Sequence, residues 1–534
     1  MKTGLAHSLT LAAALGSLHP ATAKTDTPAK PNIIVVLADD MGWSDIGCYG
    51  GEIPTPNLDA LAKNGLRFTE FYNLGRCCPS RASLLTGLYP HQTGVGRMLA
   101  NNHLPGYEGK LNDTCVTLAE VLQPAGYFTA MTGKWHLGQD QGVVPWRRGF
   151  ERTLTAPTGG FYSSADPKAD LYLNGEKIAN DDPRLPKNWY TTDLWTQYGI
   201  KFIDEALAAK KPFFLYLAYN APHFPLEAPP EDIAKFRHSY LPGWDKLREA
   251  RFKRQQKMGL IDPKWELSPR PDDIKAWDSI TDEQKDRFDQ IMSIYAASVW
   301  HMDKDIGELV AALRKRGVLD NTLILFMSDN GGNAESGPKG KLNGDNPGGP
   351  GSVVFCGESW ANLQDTPNRL FKHFNHEGGI STPLIVHWPA GIAAKGELRT
   401  EPSHFIDIIS TLVDYAGATY PKQFNGQAVQ PMEGKSLRPA FADQPISRDE
   451  PLFWSHEGNA AIRVGDWKLV RQALENWELY DLKADRTEVH DLASAQPDRV
   501  QQMTALWDAW AKRTHVEPRP GRGQHKTPAP DNED

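Results

Sequence analysis

The sequence has few cysteines, no long apolar run and no cluster of basic residues. Five cysteines in 534 residues are too few for a disulfide-stabilised scaffold, and none has the paired spacing of a zinc site. Lysine and arginine are scattered and the net charge is −8, so no nucleic-acid partner is expected. No segment reaches the roughly 20 apolar residues that span a bilayer, so no membrane span is expected. The composition is that of an ordinary globular protein.

The N-terminus resembles a signal peptide. Lys2 precedes an apolar stretch at about residues 9–18, and a small-residue site follows at 21–23. We therefore expect a periplasmic or secreted protein. The predicted organisation is a signal peptide at 1–23, a catalytic domain at 31–440, a small α+β subdomain at 441–515, and a polar, proline-rich disordered tail at 516–534.

Apolar runs rich in branched and aromatic residues predict four buried parallel strands. Helical patterns lie between them, and the clearest begins at a Thr281 capping box and ends near Gly317. This alternation predicts an α/β fold, with helices on both faces of a mostly parallel sheet. The predicted strands are residues 32–38, 127–132, 212–219 and 322–328.

Other segments are less regular. Residues 145–200 and 230–280 are rich in proline, tryptophan and charge, and they are predicted to form loops around a pocket. Short strand-like runs at 460–470 and 477–482, followed by a helical pattern at 498–513, predict a small antiparallel sheet with one helix.

Each predicted strand runs directly into polar residues. In open α/β sheets this carboxyl edge is where ligands bind. Carboxylates that converge there repel one another unless a cation neutralises them, and oxygen ligands suit Ca²⁺ or Mg²⁺. The alternative is that Asp40 and Asn330 only open turns. The residues are Asp39 and Asp40, Lys134 and His136, His223, and Asp329 and Asn330.

Residues 77–87, with the sequence CCPSRASLLTG, read locally as a short helix. Pro79 suits its first position and Gly87 the residue beyond its end, which puts Cys77 just before free backbone N–H groups. Such a helix start binds tetrahedral oxyanions, and Arg81 adds a charge one turn along. The alternative is an inert, buried cysteine pair at 77 and 78.

This stretch fits the signature Cys-x-Pro-Ser-Arg-x-x-x-Leu-Thr-Gly of the formylglycine-dependent sulfatases, within the alkaline phosphatase superfamily. Residues 126–138 resemble the second signature of that family. The resemblance runs from about residue 31 to 510 and is nearest to the bacterial arylsulfatases. Further family-like stretches are Pro31–Trp43, Ala221–His223, Ser328–Gly332 and Arg369–Gly379, which contains Lys372.

The resemblance implies a sulfuric ester hydrolase that acts on aryl sulfates or sulfated sugars. Its nucleophile is a formylglycine made from Cys77 by a separate maturation enzyme, while Cys78 occupies the variable position. One Ca²⁺ is implied beside residue 77, which is itself a ligand, and the other ligands are Asp39, Asp40, Asp329 and Asn330. The implied catalytic residues are Cys77, Arg81, Lys134, His136, His223 and Lys372.

Two alternatives remain open. One is a phosphonate or phosphate monoester hydrolase on the same scaffold, since the oxyanions of phosphorus and sulfur have similar shapes. The other is a non-catalytic protein that binds sulfated glycans without oxidation of Cys77. The alcohol half of the substrate is expected to contact loops such as Arg97–Lys110 and the C-terminal segment, which contain no motif that identifies it.

Overall fold

The computed structural model describes Met1 and residues 30–520. The predicted signal peptide lies outside this range, so export stays a prediction. Residues 516–520, assigned to the disordered tail, are described: Val516 is fully buried, and its carbonyl accepts a hydrogen bond from the Tyr107 hydroxyl at 2.8 Å. Ordered contacts therefore extend past the predicted start of the tail. Within the described residues no helix is long and apolar enough to cross a membrane, and no disulfide bond joins any of the five cysteines.

The strands are β1 Asn32–Ala38, β2 Leu66–Tyr72, β3 Phe128–Lys134, β4 Arg152–Ala156, β5 Leu171–Leu173, β6 Glu176–Ile178, β7 Phe213–Ala218, β8 Thr322–Ser328, β9 Lys341–Asn343, β10 Val353–Phe355, β11 Ser381–His387, β12 Glu397–Arg399, β13 Ser403–His404, β14 Gln423–Phe424, β15 Gln427–Ala428, β16 Leu452–His456, β17 Asn459–Val464, β18 Trp467–Arg471 and β19 Glu478–Asp481. All four predicted strands are present, as β1, β3, β7 and β8.

The helices are α1 Pro56–Lys63, α2 Cys77–Thr86, α3 Leu118–Leu122, α4 Thr191–Ala208, α5 Pro230–Phe236, α6 Gly243–Lys257, α7 Asp282–Lys315, α8 Gly357–Gln364, α9 Glu377–Ile380, α10 Ile406–Ala416, α11 Arg438–Phe441 and α12 Pro497–Arg513. The capping box predicted for α7 is present: the Thr281 hydroxyl accepts from the Gln284 N–H, and the Gln284 side chain accepts from the Thr281 N–H.

The main sheet has 11 strands, with the order β12-β2-β11-β8-β1-β7-β3-β4-β5-β6 and β13 paired to β2. Its centre, β8-β1-β7-β3-β4, is parallel, whereas β11 runs antiparallel to both β2 and β8. Alternate residues of β1 pack into two apolar cores, with Ile33 on one face and Ile34 on the other. This mostly parallel sheet, buried on both faces, confirms the predicted fold class.

The predicted loops at 145–200 and 230–280 are wrong in part, because these stretches contain β4, β5, β6, α5, α6 and the start of α4. Helix α6 was not predicted from the apolar pattern, because polar side chains form much of its buried face. Arg251 of α6 is fully buried, and its guanidinium contacts Asp45 at 3.0 Å and Glu52 at 2.7 Å. Tertiary ion pairs therefore replace the apolar stripe there.

The C-terminal segment forms an antiparallel sheet, β16-β17-β18-β19, followed by α12, as predicted. The single apolar run at 460–470 is in fact two strands, β17 and β18, joined by a turn at Gly465. Trp454 of β16 belongs to the same apolar core as Leu325 of β8. The two sheets thus share one core, and the predicted boundary between residues 440 and 441 stays a prediction.

Glu377, the first residue of α9, connects the C-terminal sheet to the main sheet through hydrogen bonds and ion pairs. Its carboxylate accepts hydrogen bonds from Lys468 of β18 at 2.8 Å, Arg486 at 3.0 Å and the Tyr72 hydroxyl of β2 at 3.0 Å. Lys468 also contacts Glu488 at 2.8 Å. Burial raises the pKa of Glu377, but the Lys468 and Arg486 charges outweigh burial and bring this pKa to about 2.

We expect Glu377→Gln to lower the free energy of unfolding by about 3–5 kcal/mol, because it leaves buried cations without a partner. The pKa of this carboxyl is about 2 in the fold and 4.5 in the unfolded chain. Its contribution is therefore complete above about pH 4.5 and is lost as the pH falls toward 2. Denaturant unfolding curves near pH 7 and pH 3 should show a smaller difference between wild type and variant at the lower pH.

The control for this measurement is Glu475→Gln, since the Glu475 side chain is exposed. It should change the free energy of unfolding by less than about 0.5 kcal/mol. A difference between wild type and Glu377→Gln that is the same at both pH values contradicts the assignment.

Candidate active site

The carboxyl ends of four neighbouring strands bring the predicted polar residues into one buried place. Strands β8, β1, β7 and β3 are adjacent and parallel, so they end at the same edge of the sheet. The polar side chains at that edge are at most 3% exposed. They are Asp39 and Asp40 after β1, Lys134 and His136 at the end of β3, His223 after β7, and Asp329 and Asn330 after β8.

Three carboxylates and an amide form an oxygen-rich group. The Asp40 N–H donates to Asp329 Oδ1 at 3.2 Å, and Asn330 Nδ2 donates to Asp40 Oδ1 at 2.7 Å. Asp39 Oδ1 and Asn330 Oδ1 accept no hydrogen bond from the described residues. Burial and then the Asp39 charge raise the pKa of Asp329 well above its usual range. Mutually repelling carboxylates with buried, unsatisfied oxygens fit a divalent cation with hard oxygen ligands.

Buried cations contact the same carboxylates. In a water-excluded site, positive groups fixed in this way also stabilise the oxygens of a bound oxyanion. They make the pocket suited to a tetrahedral anionic group. The shortest contacts are Lys134 Nζ to Asp39 Oδ2 at 2.8 Å, Arg81 Nη2 to Asp329 Oδ2 at 2.8 Å, and Lys372 Nζ to Asp40 Oδ2 at 2.9 Å.

Cys77 is the first residue of α2, whereas the sequence predicted that the helix starts at Pro79. Pro79 is the third helical residue, where its missing N–H loses no intrahelical bond. Gly87 ends the helix with φ 71°, as predicted. The thiol groups of Cys77 and Cys78 and a ring nitrogen of His136 lie within 4.8 Å of one another.

The surroundings of Cys77 favour its ionised form. A hydrogen bond from Cys78 contributes most and acts against burial, and the His136 and Lys134 charges add to it, so that the pKa of Cys77 lies well below its usual range. Its position at the N-terminus of α2 adds free backbone N–H groups nearby. Residue 77 therefore lies where a nucleophile and an anion-binding helix start coincide.

His136 reaches the site by a route that the sequence did not predict. Strand β3 ends at Lys134, and His136 has a left-handed backbone with φ 55°, so the extended backbone of the strand does not continue through residue 136. A backbone hydrogen bond from His136 to Pro157 at 3.0 Å holds this conformation. Asp40 is also left-handed, with φ 66°. Such strained positions of residues other than glycine cluster at functional sites.

His223 has a fixed orientation. Its Nδ1 bonds the Phe224 carbonyl, and a carbonyl only accepts, so Nδ1 carries a proton. Its Nε2 lies 3.6 Å from Asp40 Oδ2. The second ring nitrogen therefore faces the site and is the atom available for proton exchange there.

Sequence reasoning missed Asn333, Glu335 and Arg76. Asn333 Nδ2 donates to Asp40 Oδ2 at 2.6 Å, and Glu335 Oε1 lies 3.1 Å from Lys372 Nζ and 2.8 Å from Arg76 Nη1. Their proximity in sequence to Asn330 and Cys77 was the only available signal. No spacing in the chain indicates that Glu335 joins two cations from distant segments.

Two family models match the chain. The model described as Sulfatase matches residues 31–418, and the model described as N-sulphoglucosamine sulphohydrolase, C-terminal, matches residues 368–512.

Relatives match over most of their length. An uncharacterized sulfatase of Schizosaccharomyces pombe is 35% identical, over 91% of this chain and 94% of its own. An arylsulfatase of Klebsiella aerogenes is 35% identical, over 80% of this chain and 95% of its own. Among solved structures, Ps i-CgsB in complex with k-i-k-neocarrahexaose is 28% identical, with a TM-score of 0.68 over 92% of this chain and 94% of that protein.

Proposed function

The chain belongs to the sulfatase family of sulfate ester hydrolases, and we propose that it cleaves sulfate monoesters with a formylglycine at position 77 and one Ca²⁺. The observation that carries this proposal is the convergence of Cys77, the oxygen-rich group and three cations at one sheet edge. Aryl sulfates and sulfated sugars are both proposed substrates. The sugar bound to Ps i-CgsB supports the second class.

Cys77 is the residue that we assign to oxidation, because Cys78 stands at the variable position of the signature. A separate formylglycine-generating enzyme, with its own oxidant, replaces the thiol by a carbonyl oxygen, and water then adds to give two hydroxyl groups. One hydroxyl attacks sulfur while the bond from sulfur to the alcohol oxygen breaks. The other hydroxyl then loses its proton, the carbonyl re-forms, and sulfate leaves.

Asp39, Asp40, Asp329 and Asn330 are the proposed Ca²⁺ ligands, together with residue 77. The oxygen-only donor set and the unsatisfied Asn330 Oδ1 support this assignment. When bound, the ion supplies charge that polarises a ligand oxygen and lowers the pKa of a hydroxyl. The carboxylates would hold that charge close to residue 77.

The cationic side chains are proposed to bind the sulfate group, and the two histidines are proposed to transfer protons. Arg81, Lys134 and Lys372 hold the sulfate oxygens as negative charge develops on them. His136, close to residue 77, takes the hydroxyl proton that is lost when sulfate leaves. His223, whose Nε2 faces the site, gives a proton to the departing alcohol.

We expect Cys77→Ala to abolish sulfate release from nitrophenyl sulfate when the protein is produced together with a formylglycine-generating enzyme. The peptide that contains residue 77 should be about 18 Da lighter than its thiol form, since oxidation replaces the thiol with a carbonyl. Cys78→Ser is the matched control and should keep the mass change and turnover within about tenfold of wild type. Full turnover by Cys77→Ala contradicts the assigned nucleophile.

We expect Ca²⁺ to bind the protein and to stabilise it. At a free Ca²⁺ concentration 100 times the dissociation constant, the free energy of unfolding should rise by about 2.7 kcal/mol, and the melting temperature should rise with it. Asp40→Asn removes one charged ligand and should weaken calorimetric Ca²⁺ affinity at least about tenfold. Asp278→Asn, whose side chain is 79% exposed, is the control and should bind like wild type. An equal response of wild type and Asp40→Asn to Ca²⁺ argues against these ligands.

Matched nitrophenyl sulfate and nitrophenyl phosphate should be cleaved with a preference for sulfate. The described residues of the site form one oxygen-rich group, whereas two-metal phosphatases need a second ligand set about 4 Å from the first. Comparison of kcat/KM for the two esters measures this preference. Faster phosphate cleavage favours the phosphatase alternative. Tight binding of a sulfated glycan without product, after conversion of Cys77 is verified by mass, favours the non-catalytic alternative.

A further inference from the structure

Arg81, Lys134 and Lys372, which are proposed to hold the sulfate oxygens, define the sulfate pocket. A chain of ion pairs leads outward from this pocket. Lys372 contacts Glu335 at 3.1 Å, and Glu335 contacts Arg76 at 2.8 Å. The Lys372 side chain is 2% exposed, whereas those of Glu335 and Arg76 are 15% and 11% exposed. The pairs therefore line a wall that runs from the buried pocket toward solvent.

A second group continues this wall. Glu457 Oε1 lies 2.7 Å from Arg97 Nε, and Glu457 Oε2 lies 3.5 Å from His373 Nδ1. These side chains are 19–29% exposed. His373 directly follows Lys372, and Arg76, which directly precedes Cys77, lowers the pKa of Glu457 through its charge. The group therefore lies beside the residues of the sulfate pocket and is itself partly exposed to solvent.

The backbone of Glu457 is in an unusual conformation. Residues 457 and 458 form the two-residue turn between β16 and β17, flanked by the pair His456 and Asn459. Both are left-handed, with φ 47° at Glu457 and 96° at Gly458. The first position of such a turn favours Asn, Asp or Gly, and glutamate is strained there. His373 is also left-handed, with φ 86°. The strain of Asp40 and His136 in the sulfate pocket thus recurs here.

The donors and acceptors of this group suit hydroxyl groups. Burial raises the pKa of Glu457, but the charges of His456 and His373 and the hydrogen bond from Arg97 outweigh burial and lower this pKa. The carboxylate therefore stays ionised and only accepts hydrogen bonds. Arg97 and His373 are donors beside it. Two guanidinium groups nearby, Arg97 and Arg76, repel a metal ion and disfavour a metal site. A carboxylate with flanking donors matches adjacent hydroxyls of a sugar ring better than a flat, apolar aryl ring.

We propose that Arg97, His373 and Glu457 form the subsite for the alcohol half of the substrate and that this alcohol is a sugar with free hydroxyl groups. The inference rests on the proposed sulfatase function and adds to it the class of alcohol. It also joins the two segments that the sequence associated with the alcohol half, since Arg97 begins the 97–110 loop and Glu457 lies in the C-terminal sheet. The three are specificity residues and take no part in the sulfur chemistry.

The test compares Glu457→Gln with wild type on nitrophenyl sulfate and on sulfated monosaccharides such as glucose 6-sulfate and N-acetylglucosamine 6-sulfate. The variant should lose about tenfold or more in kcat/KM for the preferred sugar sulfate, since it loses hydrogen bonds to a charged group. Its kcat/KM for nitrophenyl sulfate should stay within about twofold, which also shows that it is folded. Glu176→Gln, which breaks the exposed pair with Arg184, is the matched control and should leave both values unchanged.

Arg97→Gln provides a second test from the other side of the pair and should shift the same ratio in the same direction. Equal losses on both substrate classes overturn the inference, because Glu457 then only holds the pocket together. Wild-type turnover of the aryl ester with none of the sugar sulfates overturns it as well. If wild type with verified formylglycine cleaves no sulfate ester, the proposed function itself fails, which is a separate outcome.

Discussion

Charge compensation among buried carboxylates is the constraint on which the site depends. Asp39, Asp40 and Asp329 come from two adjacent strands, and each lies within 3 Å of a cationic side chain from elsewhere in the chain. Isolated charges at this depth cost several kcal/mol each, so the carboxylates require these partners and fit a divalent ion. The same cations can stabilise a sulfate group. In the proposed mechanism, charge balance in the fold and binding of the sulfuryl group therefore use one set of residues.

The C-terminal sheet is part of this arrangement. Glu377 couples it to the main sheet through buried contacts with Lys468 and Arg486, and the two sheets share an apolar core. This anchoring holds the turn at Glu457 beside Arg97 at the outer wall of the pocket. The proposed sulfate pocket thus lies at the edge of the main sheet, and the smaller sheet contributes Glu457 to its proposed outer wall. Under the proposed assignment, differences in the smaller sheet change the alcohol that is accepted while the sulfur chemistry stays the same.

Local patterns in the sequence predicted most of the parallel core. Strands β1 and β8 have the predicted bounds, and β3 and β7 differ from theirs by one or two residues, because continuous apolar runs mark strands that are buried on both faces. The polar residues at their ends follow directly from chain order and from the shared carboxyl edge of parallel strands. Gly87 and the capping box of α7 were also predictable, since caps depend on a few neighbouring residues.

What only the tertiary structure decided involves groups that are distant in sequence. Helix α6 buries Arg251 against Asp45 and Glu52, and no periodic pattern reveals a helix face that is held by ion pairs. The left-handed backbone of His136, and the contacts of Glu335 and Glu457 with cations from other segments, likewise depend on packing. The sequence by itself determined the strands, the Cys77 motif and the polar residues at the strand ends, because those signals are local. Which charges meet was decided by the fold, because electrostatic partners are selected by distance in space and leave no regular spacing along the chain.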